Sequence, residues 1–376
     1  MKFGFYCPAQ IIMESGCIER AGPMAAGMGR RVLAVVPGSL SKSHACEALR
    51  DGAAGAGAEV MLYVCPPGEP TCKSVDEAAE VARDFRADVL VGMGGGSAMD
   101  TAKAVCGMYL NPGSVMDYLE GVGTGAVMEK PPLPWIALPT TAGTGAEVTK
   151  NAVISGEGFK KSFRDSRLYA RAVLVDPGLT LSLPKEVTAD SGMDALTQLI
   201  ESFVSVKATP ITDALAVRGI ALAKSLRDAY NDGLNLPARE NMSATALLSG
   251  ICLANSGLGA AHGIAAALGI YAGIPHGRAC ALLLPHVIEL NARDSAAAEK
   301  LKIAARLFTG EGDIAALTSK IREWNAHFCI PADLKSYNIS GSVLKKIAEG
   351  SFGSSMSGNP VQQGAEDWEI FLQALV

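Results

Sequence analysis

The feature that most constrains this chain is a change of texture near its middle. Up to about residue 182, short β-branched runs alternate with helical patterns. Arg31–Val36 closes at Pro37-Gly38, and a helical pattern over 42–55 and the run 59–64 follow. A helix over 74–85 then leads to the run 88–93, which ends in Gly94-Gly95-Gly96. Strand, helix, strand, helix, strand predicts a parallel sheet wound with helices, whose ligands bind at the carboxyl ends of the strands. Two more strands are predicted at 135–138, running into Pro139, and at 172–175, ending at Asp176-Pro177. After Pro184 the segments 189–205, 208–230, 238–256, 261–271, 279–292, 295–308 and 313–327 carry helical periodicity, with no strand among them. A boundary within 178–184 divides the 376 residues into an α/β part, 1–182, and an all-α part, 183–376, in keeping with the length prior for two domains.

Composition removes several classes of function. Charged residues are 19% and hydrophobic ones 49%, so there is ample apolar surface to bury and a disordered chain is excluded. The formal net charge is −5 and no Lys/Arg block occurs, so the sequence offers neither nucleic acid nor an anionic membrane an electrostatic footprint. Nine scattered cysteines contain no C-x-x-C pair, which suggests neither a disulfide framework nor a thiolate zinc site and suits a reducing cytoplasm. Met1–Gln10 does not read as a signal peptide. The apolar stretch Ile251–Tyr271 has membrane-spanning length, but Asn255, Ser256, His262 and four glycines favour a buried core helix.

Two loops and four residues of the helical half could carry chemistry. Gly94-Gly95-Gly96-Ser97 stands where a strand meets a helix; its glycines let a ligand approach the backbone, and the helix start offers N–H groups to a phosphate. A tight structural turn is the alternative, and the motif is neither a spaced G-x-G-x-x-G nor a P-loop. The passage Pro139-Thr140-Thr141-Ala142-Gly143-Thr144-Gly145-Ala146-Glu147-Val148-Thr149 offers hydroxyls to a cofactor's phosphates, ribose or carboxamide, or is an ST-turn before a helix cap. Asp194 and Gln198 lie four apart, on one face of a predicted helix. His262 and His276 fall in segments nearly free of charge. One carboxylate and two imidazoles make a three-ligand divalent-metal site with a position open for substrate. His44, His286 and His327 have weaker contexts and read as structural.

In order and spacing these segments resemble the iron-containing, group III, alcohol dehydrogenases, relatives of the glycerol dehydrogenases and dehydroquinate synthases. The matching residues are Gly94–Ser97 with Asp100 and Ala102-Lys103, the Pro139–Thr149 loop, Gly192–Thr197, Gly257-Leu258-Gly259 with His262-Gly263, and Pro275-His276-Gly277 through Leu284-Pro285-His286. The resemblance covers roughly residues 30–292. It implies a Rossmann-like dinucleotide domain, a helical metal-binding domain and an active site in the cleft between them. It places the metal, Fe2+ or Zn2+, on Asp194, position 198, His262 and His276. Position 198, histidine in the family, is Gln198; the histidine usual four residues after His262 is Ala266; and the family's Asn-Pro-Arg is Asn359-Pro360-Val361. A glutamine oxygen is a weaker donor to iron or zinc than imidazole, and without a histidine at 266 the last proton falls to water, the cofactor ribose or another side chain.

The implied activity is NAD(P)H-linked reduction of a small aldehyde or ketone, reversible with the alcohol, in a homodimer or higher homo-oligomer. The metal acts as Lewis acid through Asp194, His262 and His276, and the nicotinamide supplies hydride. Cofactor contacts are expected from Gly38, Ser39, Gly94, Gly95, Gly96, Ser97, Thr140, Thr141, Thr144, Thr149 and Lys160, the last with an exposed surface lysine as the alternative. The first strand ends in Val36-Pro37-Gly38-Ser39 without an acidic residue to bond a ribose 2′-OH and repel a 2′-phosphate, and Lys42 lies nearby. That tips the expectation from NAD toward NADP. A dehydroquinate-synthase-like lyase would need several basic groups, and near the helical motifs Arg278 stands alone. Gln198 and Ala266 motivate a metal-poor binding protein or degenerate paralogue, against which the intact Asp194, His262 and His276 argue; a metal-independent reductase of the same fold is the remaining alternative.

Overall fold

A computed structural model describes residues 3–376. The chain forms two compact units. One comprises Cys7–Thr141 and Gly145–Ser182; the other comprises Leu183–Val376 with Ala142–Thr144 and the segment ending at Tyr6.

In the first unit the elements run β1 (Ile11–Met13), α1 (Ala21–Ala26), β2 (Arg31–Pro37), α2 (His44–Gly55), β3 (Glu59–Cys65), α3 (Cys72–Asp84), β4 (Val89–Gly94), α4 (Gly96–Met108), β5 (Trp135–Pro139), β6 (Asn151–Gly156), β7 (Phe159–Arg164) and β8 (Ala172–Val175). Six of the strands make one sheet in the order β1-β8-β5-β4-β2-β3, parallel throughout. The near-continuous Val/Leu/Ala runs of β2 and β4 are buried, as a parallel sheet covered on both faces requires. The five strands expected from the sequence all form. The short β1 and the antiparallel hairpin β6–β7 were not legible, because three residues carry no periodicity and β7 (Phe159-Lys160-Lys161-Ser162-Phe163-Arg164) is largely polar.

The other unit is helical: α5 (Lys185–Val204), α6 (Pro210–Ala223), α7 (Leu226–Asn231), α8 (Leu236–Ser256), α9 (Ala260–Ala272), α10 (His276–Asn291), α11 (Ser295–Thr309), α12 (Ile314–His327), α13 (Gly341–Gly350) and α14 (Ala365–Gln373). Two expectations need correction. The 208–230 segment is two helices, α6 and α7, and the apolar stretch 251–271 is not one core helix. It is the end of α8 and most of α9, whose axes meet at 101° across Gly257-Leu258-Gly259. Among the described residues no single helix is long and apolar enough to cross a membrane. The break is what aims the start of α9, and with it His262, into the bundle: His262 is 4% exposed.

Candidate active site

At the carboxyl edge of the sheet, Gly94 at the end of β4 registers with Pro139 at the end of β5, and Thr140 N–H donates to the Gly94 carbonyl at 2.9 Å. Gly94 has φ 152°, and a Cβ there would stand 2.7 Å from Ala98 Cβ and 2.9 Å from Pro37 Cδ. Only glycine fits this junction. Gly95 is the N-cap of α4, so the helix starts at Gly96, one residue before the expected Ser97. The N–H groups of a helix's first turn have no intrahelical acceptor, a disposition suited to a phosphate. Gly95, Gly96 and Ser97 are partly accessible, and Gly38 and Ser39 are exposed at the end of β2. These residues fit a dinucleotide's pyrophosphate and adenosine end.

The rest of the Gly-rich motif has a structural use. Lys103, fully buried on α4, donates from Nζ to the Ala146 carbonyl and Thr149 Oγ1, each at 2.9 Å, and to the Asn151 carbonyl at 2.7 Å. Asp100 stands 3.5 Å from the Lys103 amine and accepts from Val153 N–H at 3.1 Å. Burial lowers the Lys103 pKa and raises that of Asp100, each opposed by the attraction of the other. Thr149 was expected to contact cofactor; its hydroxyl is instead occupied by Lys103 and the Ala146 carbonyl, 3.1 Å away. Lys160 on β7 ion-pairs with Glu69, which also accepts from Ser155 at 2.7 Å. Its charge is committed there and does not stand as a bare surface lysine. The threonine loop divides: Thr140 and Thr141 stay with the sheet unit, whereas Ala142–Thr144 belong to the helical one, where Ser249 Oγ donates to the Gly143 carbonyl at 3.4 Å.

Within the helical unit the three expected ligands converge. Asp194 lies on α5, His262 on α9 and His276 at the start of α10. His262 Nε2 is 3.0 Å and His276 Nε2 3.9 Å from Asp194 Oδ1, and the imidazole rings meet edge-on at 5.3 Å. Gly277 allows this approach: a Cβ there would fall 2.1 Å from the Asp190 carbonyl oxygen of α5. The Pro-His-Gly motif therefore sets helix contact as well as supplying a ligand, and Arg278 bonds Asp190 at 3.3 Å beside it.

Two further residues went unnoticed in the sequence. Glu201 lies seven residues after Asp194 on α5, two turns along the same face. Its Oε1 accepts from Ala261 N–H and its Oε2 from His262 Nδ1, both at 2.6 Å. Cys280 follows His276 by four on α10, and its sulfur is one of four donor atoms, with Asp194, His262 and His276, all within 4.8 Å of one another. The i, i+7 and i, i+4 spacings were the signals, hidden among apolar neighbours. Asn359, in place of the family's terminal Asn-Pro-Arg asparagine, accepts from Ala260 N–H at 3.1 Å and so caps α9.

Burial alone would lower the His262 pKa, but Cys280, Asp194 and Glu201 facing the ring together lift it well above the ordinary imidazole value. Burial pushes the Cys280 thiol up to about 11, against the pull of His262. Gln198, 3% exposed, has an amide oxygen with no hydrogen-bond partner among the described residues. A buried acceptor left so costs about 1–3 kcal/mol. A carboxylate, two imidazoles and this orphaned oxygen one turn from Asp194 fit a divalent cation such as zinc or iron(II).

Residues 8–177 match the iron-containing alcohol dehydrogenase family model, and residues 188–376 that of the family's C-terminal region. The long-chain-alcohol dehydrogenase 1 of Geobacillus thermodenitrificans is 38% identical over 73% of this chain and 69% of its own length. The NAD-dependent methanol dehydrogenase of Bacillus methanolicus is 30% identical over 93% of each chain. The crystal structure of sulfoacetaldehyde reductase from Bifidobacterium kashiwanohense in complex with NAD+ superposes with a TM-score of 0.91 at 29% identity, covering 100% of this chain and 99% of that one. The chain belongs to the iron-containing alcohol dehydrogenase family. It is a nicotinamide-linked oxidoreductase that interconverts alcohols and aldehydes or ketones.

Proposed function

We propose that Asp194, His262 and His276 hold a catalytic divalent metal, zinc or iron(II), and that the chain reduces a small aldehyde or ketone with a preference for NADPH. The observation that carries this is the convergence of those donors from three helices into one group, Asp194 and His262 buried and His276 partly exposed. The metal there supplies Lewis-acid polarisation of a carbonyl oxygen, and the nicotinamide supplies the hydride. The chain's own residues do the positioning. Glu201 takes the Nδ1 proton of His262 in a hydrogen bond and so presents the Nε2 lone pair to the metal. The α4 N-terminus at Gly95, Gly96 and Ser97 receives the pyrophosphate, and Gly38 and Ser39 with Lys42 receive a 2′-phosphate that no carboxylate at the end of β2 repels. Thr140, Thr141 and Thr144 contact the cofactor in this reading. Nine free thiols suit a cytoplasmic setting, and the working form is a homo-oligomer.

The test is a panel of small aldehydes and ketones with NADH and NADPH, followed at the nicotinamide absorbance on protein whose metal content is measured in parallel. Turnover proportional to bound metal, faster with NADPH, supports the reading. Full turnover in metal-free protein, or in Asp194→Ala and His262→Ala variants, would make this a metal-independent reductase.

A further inference from the structure

The motif residues account for three donors of the helical site, and the weak position is the fourth. On α5 the sequence offers Gln198, a neutral amide oxygen; on α10 the fold offers Cys280, which no motif marked. Cys280 is fully buried one helical turn beyond His276. Its sulfur is 3.8 Å from His276 Nε2 and also within hydrogen-bonding reach of His262. Its polar neighbours are thus residues of the metal site.

The spacings suit coordination. Tetrahedral ligands at zinc bond lengths of about 2.0–2.3 Å lie roughly 3.3–3.8 Å apart. Here the three separations given above are 3.0, 3.9 and 3.8 Å, and all four donor atoms lie within 4.8 Å of one another. Closing the group onto a cation asks for sub-ångström shifts of side chains already in place. Donor type favours the thiol over the amide: a thiolate is a stronger donor to zinc than a neutral amide oxygen.

We infer that Cys280 is the fourth protein ligand, bound as a thiolate, so that the site is one carboxylate, two imidazoles and one thiolate in place of a glutamine-completed set. On binding, the Sγ–H bond gives way to a sulfur–metal bond, the proton leaves to solvent, and nothing is oxidised or reduced. The thiolate tilts selection toward zinc, because soft sulfur donors favour zinc whereas carbonyl and carboxylate oxygens suit harder cations. This rests on the proposal that Asp194, His262 and His276 bind metal, and it fails separately from it.

X-ray absorption at the zinc edge of the zinc-loaded wild-type protein tests it without any variant: one sulfur scatterer at about 2.3 Å is expected. Cobalt(II)-loaded protein should show a thiolate-to-cobalt charge-transfer band in the near ultraviolet, lost in Cys280→Ser and kept in Gln198→Ala. Zinc affinity should fall roughly tenfold or more in Cys280→Ser and by less than about threefold in Gln198→Ala. A zinc shell of nitrogen and oxygen alone, or a band that survives in Cys280→Ser, overturns the inference while leaving the three-ligand metal site standing. Failure of the wild type to bind either metal overturns both. If Cys280→Ser does not fold, the wild-type absorption data still decide.

Discussion

Replacing Glu201 by Gln tests how the site holds its metal, because the side chain keeps its shape and loses the ability to satisfy both partners. In the native protein two donors face one carboxylate: Ala261 N–H and His262 Nδ1, each at 2.6 Å. A glutamine offers one oxygen and one NH2 group. With the oxygen toward Ala261, the NH2 faces His262, which must then accept at Nδ1 and carry its proton on Nε2, the nitrogen that points at Asp194. That tautomer has no lone pair for a metal. Binding would force the other tautomer and set N–H against N–H, at a cost of about 1–3 kcal/mol for a buried donor left unmet. The reverse orientation moves the same cost to Ala261 and the start of α9. Metal affinity in Glu201→Gln should therefore fall by roughly tenfold to a hundredfold, the range seen when outer partners of a metal-bound histidine are lost. Competition with a chromophoric chelator measures it, and far-ultraviolet circular dichroism confirms that the helices persist. A Glu201→Gln protein that binds zinc as tightly as the wild type would show that the carboxylate does not set the tautomer.

Three other outcomes are expected. Glu147, buried in the threonine loop, has its pKa raised by desolvation to about 7, so the folded state holds a proton that the unfolded state releases near 4.5. Its contribution is intact below that unfolded value and is lost as pH rises through about 7; Glu147→Gln should thus be stability-neutral near pH 4 and stabilising by about 3 kcal/mol at pH 8. A denaturation series in which the difference does not grow with pH refutes this. Gly277→Ala adds a Cβ 2.1 Å from the Asp190 carbonyl oxygen and must push α10 from α5 by about 1 Å, costing roughly 1–3 kcal/mol and loosening the metal. Unchanged melting temperature and metal affinity would show that the helices yield freely. Lys103→Met leaves the Ala146 and Asn151 carbonyls without their ammonium donor and should destabilise the sheet unit by roughly 3–5 kcal/mol, lowering its melting transition. A shift of less than about 1 kcal/mol would mean that water replaces the amine.

The sequence by itself determined the two-part architecture, because a parallel sheet demands buried β-branched runs separated by helices and an all-helical core demands sustained apolar periodicity. It also singled out the Gly94–Ser97 junction and Asp194, His262 and His276, the last three brought together by the fold, each marked by glycines or by polar groups in apolar surroundings. Spacing along the chain cannot show which helix faces cross, so tertiary structure alone decided the rest. Glu201 looked like an ordinary helical carboxylate until α9 placed His262 and Ala261 against it. Cys280 read as one more small apolar residue until the contact of α10 with α5 at Gly277 brought its sulfur beside the other donors. Thr149 looked like a cofactor hydroxyl and proved to be tied to Lys103. Asn359 lies 99 residues beyond Ala260, the first residue of the helix it caps. Residue type limits what chemistry a side chain can do, but its partners are chosen by packing between segments distant in sequence, and no local pattern encodes that packing.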